Sequence, residues 1–127
     1  MRKRIWIVPL LCLMAACSST GCSSTAYQHG LDVSLTALNQ AANSFASYDK
    51  DKQMQLVEES TTKDEAKLKL AQYRAARTPV LAAFLGAYGA IAVAAVKPDE
   101  ASITEAGKAV LLVYTQLKSL FPGKETP

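Results

Sequence analysis

Cys12, Cys17 and Cys22 are the only thiols in this 127-residue chain, and all three precede the body of the sequence. Clustered thiols could form disulfides, bind metal or accept a covalent group. A structural disulfide framework does not fit, because no cysteine lies further along to be stapled. Acid–base chemistry has little more support. His29 is the only histidine, so neither a histidine-based triad nor a multi-histidine metal site can be built. Asp49 with Asp51, and Glu58 with Glu59, are spaced as paired carboxylates. They fall in a charged stretch with no apolar pocket to shift a pKa, and the expectation is a solvated face. No glycine-rich phosphate loop occurs. These residues predict a chain that is not an enzyme, with no catalytic residue, no metal site and no dissociable cofactor.

Two further groups could bind rather than react. Lys63, Lys67, Arg74 and Arg77 fall near one helical face and form a candidate surface for an acidic or phosphate-bearing partner. A solvated face is the commoner meaning of such a run, and Asp64 and Glu65 dilute its field. Tyr73, Tyr88 and Tyr114 stand among apolar neighbours at helical spacing, which predicts core packing rather than a ligand cage.

The first 16 residues have the three-part layout of a secretory signal. Arg2, Lys3 and Arg4 form a basic start, Ile5–Met14 is uncharged and apolar, and Ala15 and Ala16 are small. Met14-Ala15-Ala16-Cys17 resembles the lipobox of bacterial lipoproteins, with methionine where leucine is commoner. The resemblance covers residues 1–17 only, and no motif after it fixes a family. It implies cleavage before Cys17, a diacylglycerol on its thiol and an acyl chain such as palmitate on the new amino terminus. Cys22 is the alternative anchor, since Thr20 and Gly21 suit the pattern and Ser19 does not. Cys12 is then discarded with the signal. With Cys17 as the anchor, Cys22 remains as an idle thiol or forms an intermolecular disulfide. In that family an aspartate after the cysteine commonly retains the protein in the inner membrane. Ser18 stands there, and Ser23 after the alternative cysteine, so the resemblance implies the periplasmic face of the outer membrane.

Processing also changes the charge. The chain is formally +3, and three of its 14 Lys and Arg lie in residues 2–4. The remainder carries 11 basic and 11 acidic side chains, which argues against a nucleic-acid partner.

The rest of the chain predicts an all-α fold. Residues 17–30 read as a lipidated, small and polar tether, 31–121 as the helical domain and 122–127 as a frayed tail. Leu31, Leu35, Leu38, Ala42 and Phe45 define one face of a helix over about 31–59. Thr62 followed by Glu65 is a capping-box pattern that starts a second helix. Leu70, Tyr73, Arg77, Val80, Phe84, Ala87, Ile91 and Ala94 carry it through about 63–96, kinked at Pro79; the alternative is a new helix capped by Thr78. Ile103, Ala106, Val110, Val113, Leu117 and Leu120 form the inner face of a third helix over about 99–120. The expected architecture is an antiparallel three-helix bundle with a charged two-helix hairpin, about 47–78, projecting from it. The topology puts the hairpin tip near Glu58–Asp64 away from a membrane that holds the amino terminus.

Pro79–Val96 holds no charge over 18 residues, long enough to cross a bilayer. Seven of the 18 are alanine, and Ala82, Gly86, Ala90 and Ala94 make a small-residue stripe. A core helix buried on several sides is expected, with membrane insertion as the alternative. The functional expectation is a lipid-anchored adaptor, structural or interaction module of the cell envelope, with an unidentified protein partner or a second copy of itself. The alternative is a membrane-active, lysis- or toxin-like lipoprotein that uses residues 79–96.

Overall fold

The computed structural model describes residues 24–121. The signal, all three cysteines and the 122–127 tail lie outside the described residues. Three helices follow in order: α1 (Ser24–Glu58), α2 (Lys63–Val96) and α3 (Glu100–Leu120). The protein is all-α, with no strand among the described residues. At 1.5 Å per residue, α1 and α2 are each about 50 Å long and α3 about 32 Å. The third helix therefore runs beside only part of the other two.

The first helix is already formed at Ser24, ahead of Leu31, so residues 24–30 are helical where a tether was expected. No proline interrupts this stretch. Gly30 costs about 1 kcal/mol relative to alanine, too little to stop a helix held by packing further on. That packing starts at Leu31, which is buried. The second helix runs through Pro79 as one helix and not two. Pro79 has no N–H for the Ala75 carbonyl, and both residues are exposed. One residue earlier, the Thr78 hydroxyl donates to the Arg74 carbonyl at 3.0 Å.

The two connections are capped by side chains. Thr62 Oγ1 accepts the Glu65 N–H at 3.2 Å. Glu65 reaches back one residue beyond the expected box partner, accepting from the Thr61 N–H at 2.9 Å and the Thr61 hydroxyl at 2.8 Å. Lys69 pairs with Glu65 at 2.8 Å. Asp99 caps α3, accepting from the Ser102 N–H at 2.8 Å. Contacts with Lys69 and then Thr61 lower the Glu65 pKa to about 2, and the Ser102 bonds and then Lys97 lower that of Asp99 to about 2. Folded-state values below the ordinary carboxylate range give stability that is present above about pH 4 and is lost as pH falls toward 2. The unfolding midpoint should therefore drop across that window, and the drop should be smaller in Asp99→Asn and Glu65→Gln. A drop of unchanged size in both variants would show that other groups set the acid limit.

All three helices contribute to one apolar core. Leu31, Leu38, Ala41 and Phe45 of α1 join Val80, Ala83, Phe84, Ala87, Ile91 and Ala94 of α2, and Ala106, Val110, Val113 and Leu117 of α3, with Phe121 closing one end. The inner face of α3 is as expected, with Ile103 and Leu120 packed at its margins. On α1 the stripe differs. Leu35 is 37% exposed and Ala41 is buried in its place. At 100° per residue, Leu31, Leu38, Ala41 and Phe45 fill one arc of about 80°, and Leu35 lies about 40° beyond its edge.

Cross-helix pairs fix how the elements meet. The Tyr88 hydroxyl donates to Asn39 Oδ1 at 2.6 Å. Phe45 and Phe84 rings lie 5.8 Å apart, and Arg77 pairs with Asp49. As the α1 number rises from 39 to 45 to 49, its α2 partner falls from 88 to 84 to 77. Tyr48 meets Phe121 edge-on with centroids 4.1 Å apart, so the end of α3 lies beside the last third of α1.

Candidate functional site

The apolar half of α2 is not buried on several sides. Val80, Ala83, Phe84, Ala87, Ile91 and Ala94 form one buried stripe, while the opposite face meets solvent. A helix with two neighbours keeps an outer face, and here that face stays apolar. Leu85 is 77% exposed and Val96 88%, with Leu81 and Val93 also exposed. Leu81, Leu85 and Val96 fall within one arc of about 60°, making a ridge. Beside the ridge, Ala82, Gly86 and Ala90 face α3 across an open groove of about 620 Å³. Its far wall is Ala109, Leu112 and Gln116, and Glu105 and Lys108 stand at its rim, paired at 2.9 Å. A Cβ added at Gly86 would meet nothing within 4 Å. The groove thus owes its width to small side chains with open space above them.

The four cations expected to form one partner surface separate. Lys63, Lys67 and Arg74 are exposed and lie on the meridian that continues into Leu81 and Leu85. Lys67 is 3.9 Å from Asp64. Arg77 turns away from them toward α1, where it pairs with Asp49 and both side chains are mostly covered. Asp49 is therefore not part of a solvated acidic face, whereas Asp51, Glu58 and Glu59 are exposed. Gln53 Nε2 also donates to Asp49 Oδ2, at 3.0 Å. Asp49 Oδ1 and the Tyr73 hydroxyl are buried without a hydrogen-bond partner. Burial first, and the neighbouring Asp49 second, push the Tyr73 phenol above its ordinary range. This cluster lies where the hairpin leaves the apolar core, between α1 and α2.

Tyr88 and Tyr114 pack against the margin of the core, and burial raises the Tyr114 pKa. Among the described residues, no group of three or more His, Cys, Asp or Glu could hold a metal ion. What the residues bring together is a long uncharged surface, with cations beyond one end of it. The periodicity of 79–96 marked its inner stripe clearly. Its outer face was hidden because alanine, glycine and leucine suit a core and a surface equally well.

No protein-family model, curated protein or solved structure matches this chain. The functional reading therefore rests on the residues and their geometry.

Proposed function

We propose that this chain is a lipid-anchored interaction module on the periplasmic face of the bacterial outer membrane, held by acyl chains on Cys17. Its domain is an antiparallel three-helix bundle with a charged two-helix hairpin. The descending order of α1–α2 partners supports the antiparallel arrangement, and the shortness of α3 supports the projecting hairpin. The observation that carries the module reading is the exposed uncharged face of α2. The three helices already share a core, so this face is surplus to folding and suited to binding. A bundle that ends near Ser24 keeps its apolar section toward the anchor and the tip near Glu58–Asp64 away from it.

A second reading has its own support. α2 contains an 18-residue window of mean hydropathy 2.0, of which 33% is buried within the protein. A membrane-active protein that inserts residues 79–96 would use such a helix. Expression of residues 23–127 without signal or lipid separates the two. The module should be soluble and helical in aqueous buffer and should unfold cooperatively. Aggregation relieved only by detergent would defeat the module reading in favour of membrane insertion.

A further inference from the structure

We propose that residues 50–72 open as a unit of their own while the three-helix core stays folded, and that Asp49, Arg77 and Tyr73 form the clasp that holds them closed. The inference goes beyond the interaction-module reading and rests only on its projecting hairpin.

Burial is the first argument. Apolar side chains are buried along α1 as far as Phe45 and along α2 from Val80 onward, with Tyr73 alone beyond them. None of residues 46–72 is buried. The third helix ends at the same level, since Phe121 lies against Tyr48. Past it two helices stand side by side. Leu56, in phase with Leu38, is only half-buried there, as are Ala66 and Leu70. The other links are local or exposed: Thr62 caps α2, and Lys69 Nζ reaches the Glu59 carbonyl at 3.5 Å. Segments with few buried apolar side chains open at lower free energy than the core they adjoin. Helical pieces of about ten residues are marginal in water without such packing.

The clasp stands at that boundary. Arg77 pairs with Asp49 across the two helices, with 23% and 18% of their side chains exposed. Gln53 Nε2 donates to the same carboxylate oxygen at 3.0 Å. Removing one partner of a covered ion pair leaves the other charge unpaired, which destabilises strongly. Beside the pair, Asp49 Oδ1 and the Tyr73 hydroxyl are buried without a hydrogen-bond partner. Such an atom carries its full desolvation cost while the hairpin is closed, and opening returns it to water. One cluster therefore holds a contact that favours the closed state and two atoms that oppose it. Opening would part α1 from α2 over 50–72 and uncover Leu56, Ala66 and Leu70.

Hydrogen exchange of the full chain in mild detergent, followed by mass spectrometry of its peptides, reads the opening directly. Relative to intrinsic rates, amides of 50–58 and 63–72 should exchange about tenfold or more faster than those of 31–45 and 80–94. Arg77→Met should speed exchange of the hairpin about tenfold further and leave 80–94 unchanged. Asp49→Leu combined with Arg77→Met replaces the ion pair by an apolar one and should restore the protection. Tyr73→Phe removes an unpartnered hydroxyl, so it should slow exchange of the hairpin. Equal protection of hairpin and core in the unaltered chain would overturn the separate opening. Exchange over 50–72 with no protection at all would overturn the hairpin itself. No change in Arg77→Met, or faster exchange throughout the chain, would overturn the clasp and leave the hairpin standing. Failure of the double variant to restore protection would overturn the ion pair as the closing contact. Faster exchange in Tyr73→Phe would overturn the opposing role of its hydroxyl.

Discussion

Full-length chain carrying Cys17→Ser should accumulate as an uncleaved precursor that incorporates no labelled palmitate. This is the largest effect expected of any single substitution, because it removes every acyl chain at once. Each buried methylene of an acyl chain contributes about 0.8 kcal/mol to membrane attachment, and stable anchoring needs more than one chain. On the proposed anchoring the Cys17 thiol accepts the diacylglycerol, and the less nucleophilic hydroxyl of serine would not replace it. Mass spectrometry of the amino-terminal peptide and metabolic palmitate labelling read the result directly. Continued cleavage that now exposes Cys22 as the first residue would move the anchor there. Continued cleavage and labelling at Cys17→Ser with any other start would defeat the lipobox assignment altogether.

The second large effect falls on the core. Leu38→Ala should lower the stability of the domain by about 2–5 kcal/mol, a large share of the ~5–15 kcal/mol that holds a domain of this size. Leu38 has no exposure at all and lies where α1 meets the shared core. Leu35→Ala, one turn away, should cost less than about 1 kcal/mol, because that side chain already meets solvent. Urea unfolding followed by circular dichroism measures both. Equal costs at the two sites would mean that the buried arc of α1 is centred elsewhere.

That pair also shows how much was legible in the residues. Leu31, Leu35 and Leu38 obey the same spacing rule, so periodicity weights them equally. Which of them is covered depends on where α2 and α3 stand, and that is a tertiary fact. The start of the second helix was plain, since Thr62 followed by Glu65 marks it by local chemistry. The inner faces of α2 and α3 were equally plain from one repeat of three and four. The start of α1 was not, because Gly30 and a run of serine and threonine resemble a tether until Leu31 is seen to be anchored. The Asp49–Arg77 pair joins residues 28 apart, with no local pattern to announce it. The candidate surface was half legible. Its uncharged length stands in the sequence, but its exposure follows from α2 having two neighbours and not three.

The early start of α1 sets a distance that the sequence alone did not suggest. With helix already present at Ser24, at most residues 18–23 lie between Cys17 and the described helices. Six residues reach about 20 Å at most when fully extended. Anchored at Cys17, each domain would patrol a thin layer against one leaflet instead of a volume. Confinement on that scale would favour encounters with other molecules held at the same surface. On the proposed anchoring, a partner held at the same surface would meet the outer face of α2 far more often than one in dilute solution.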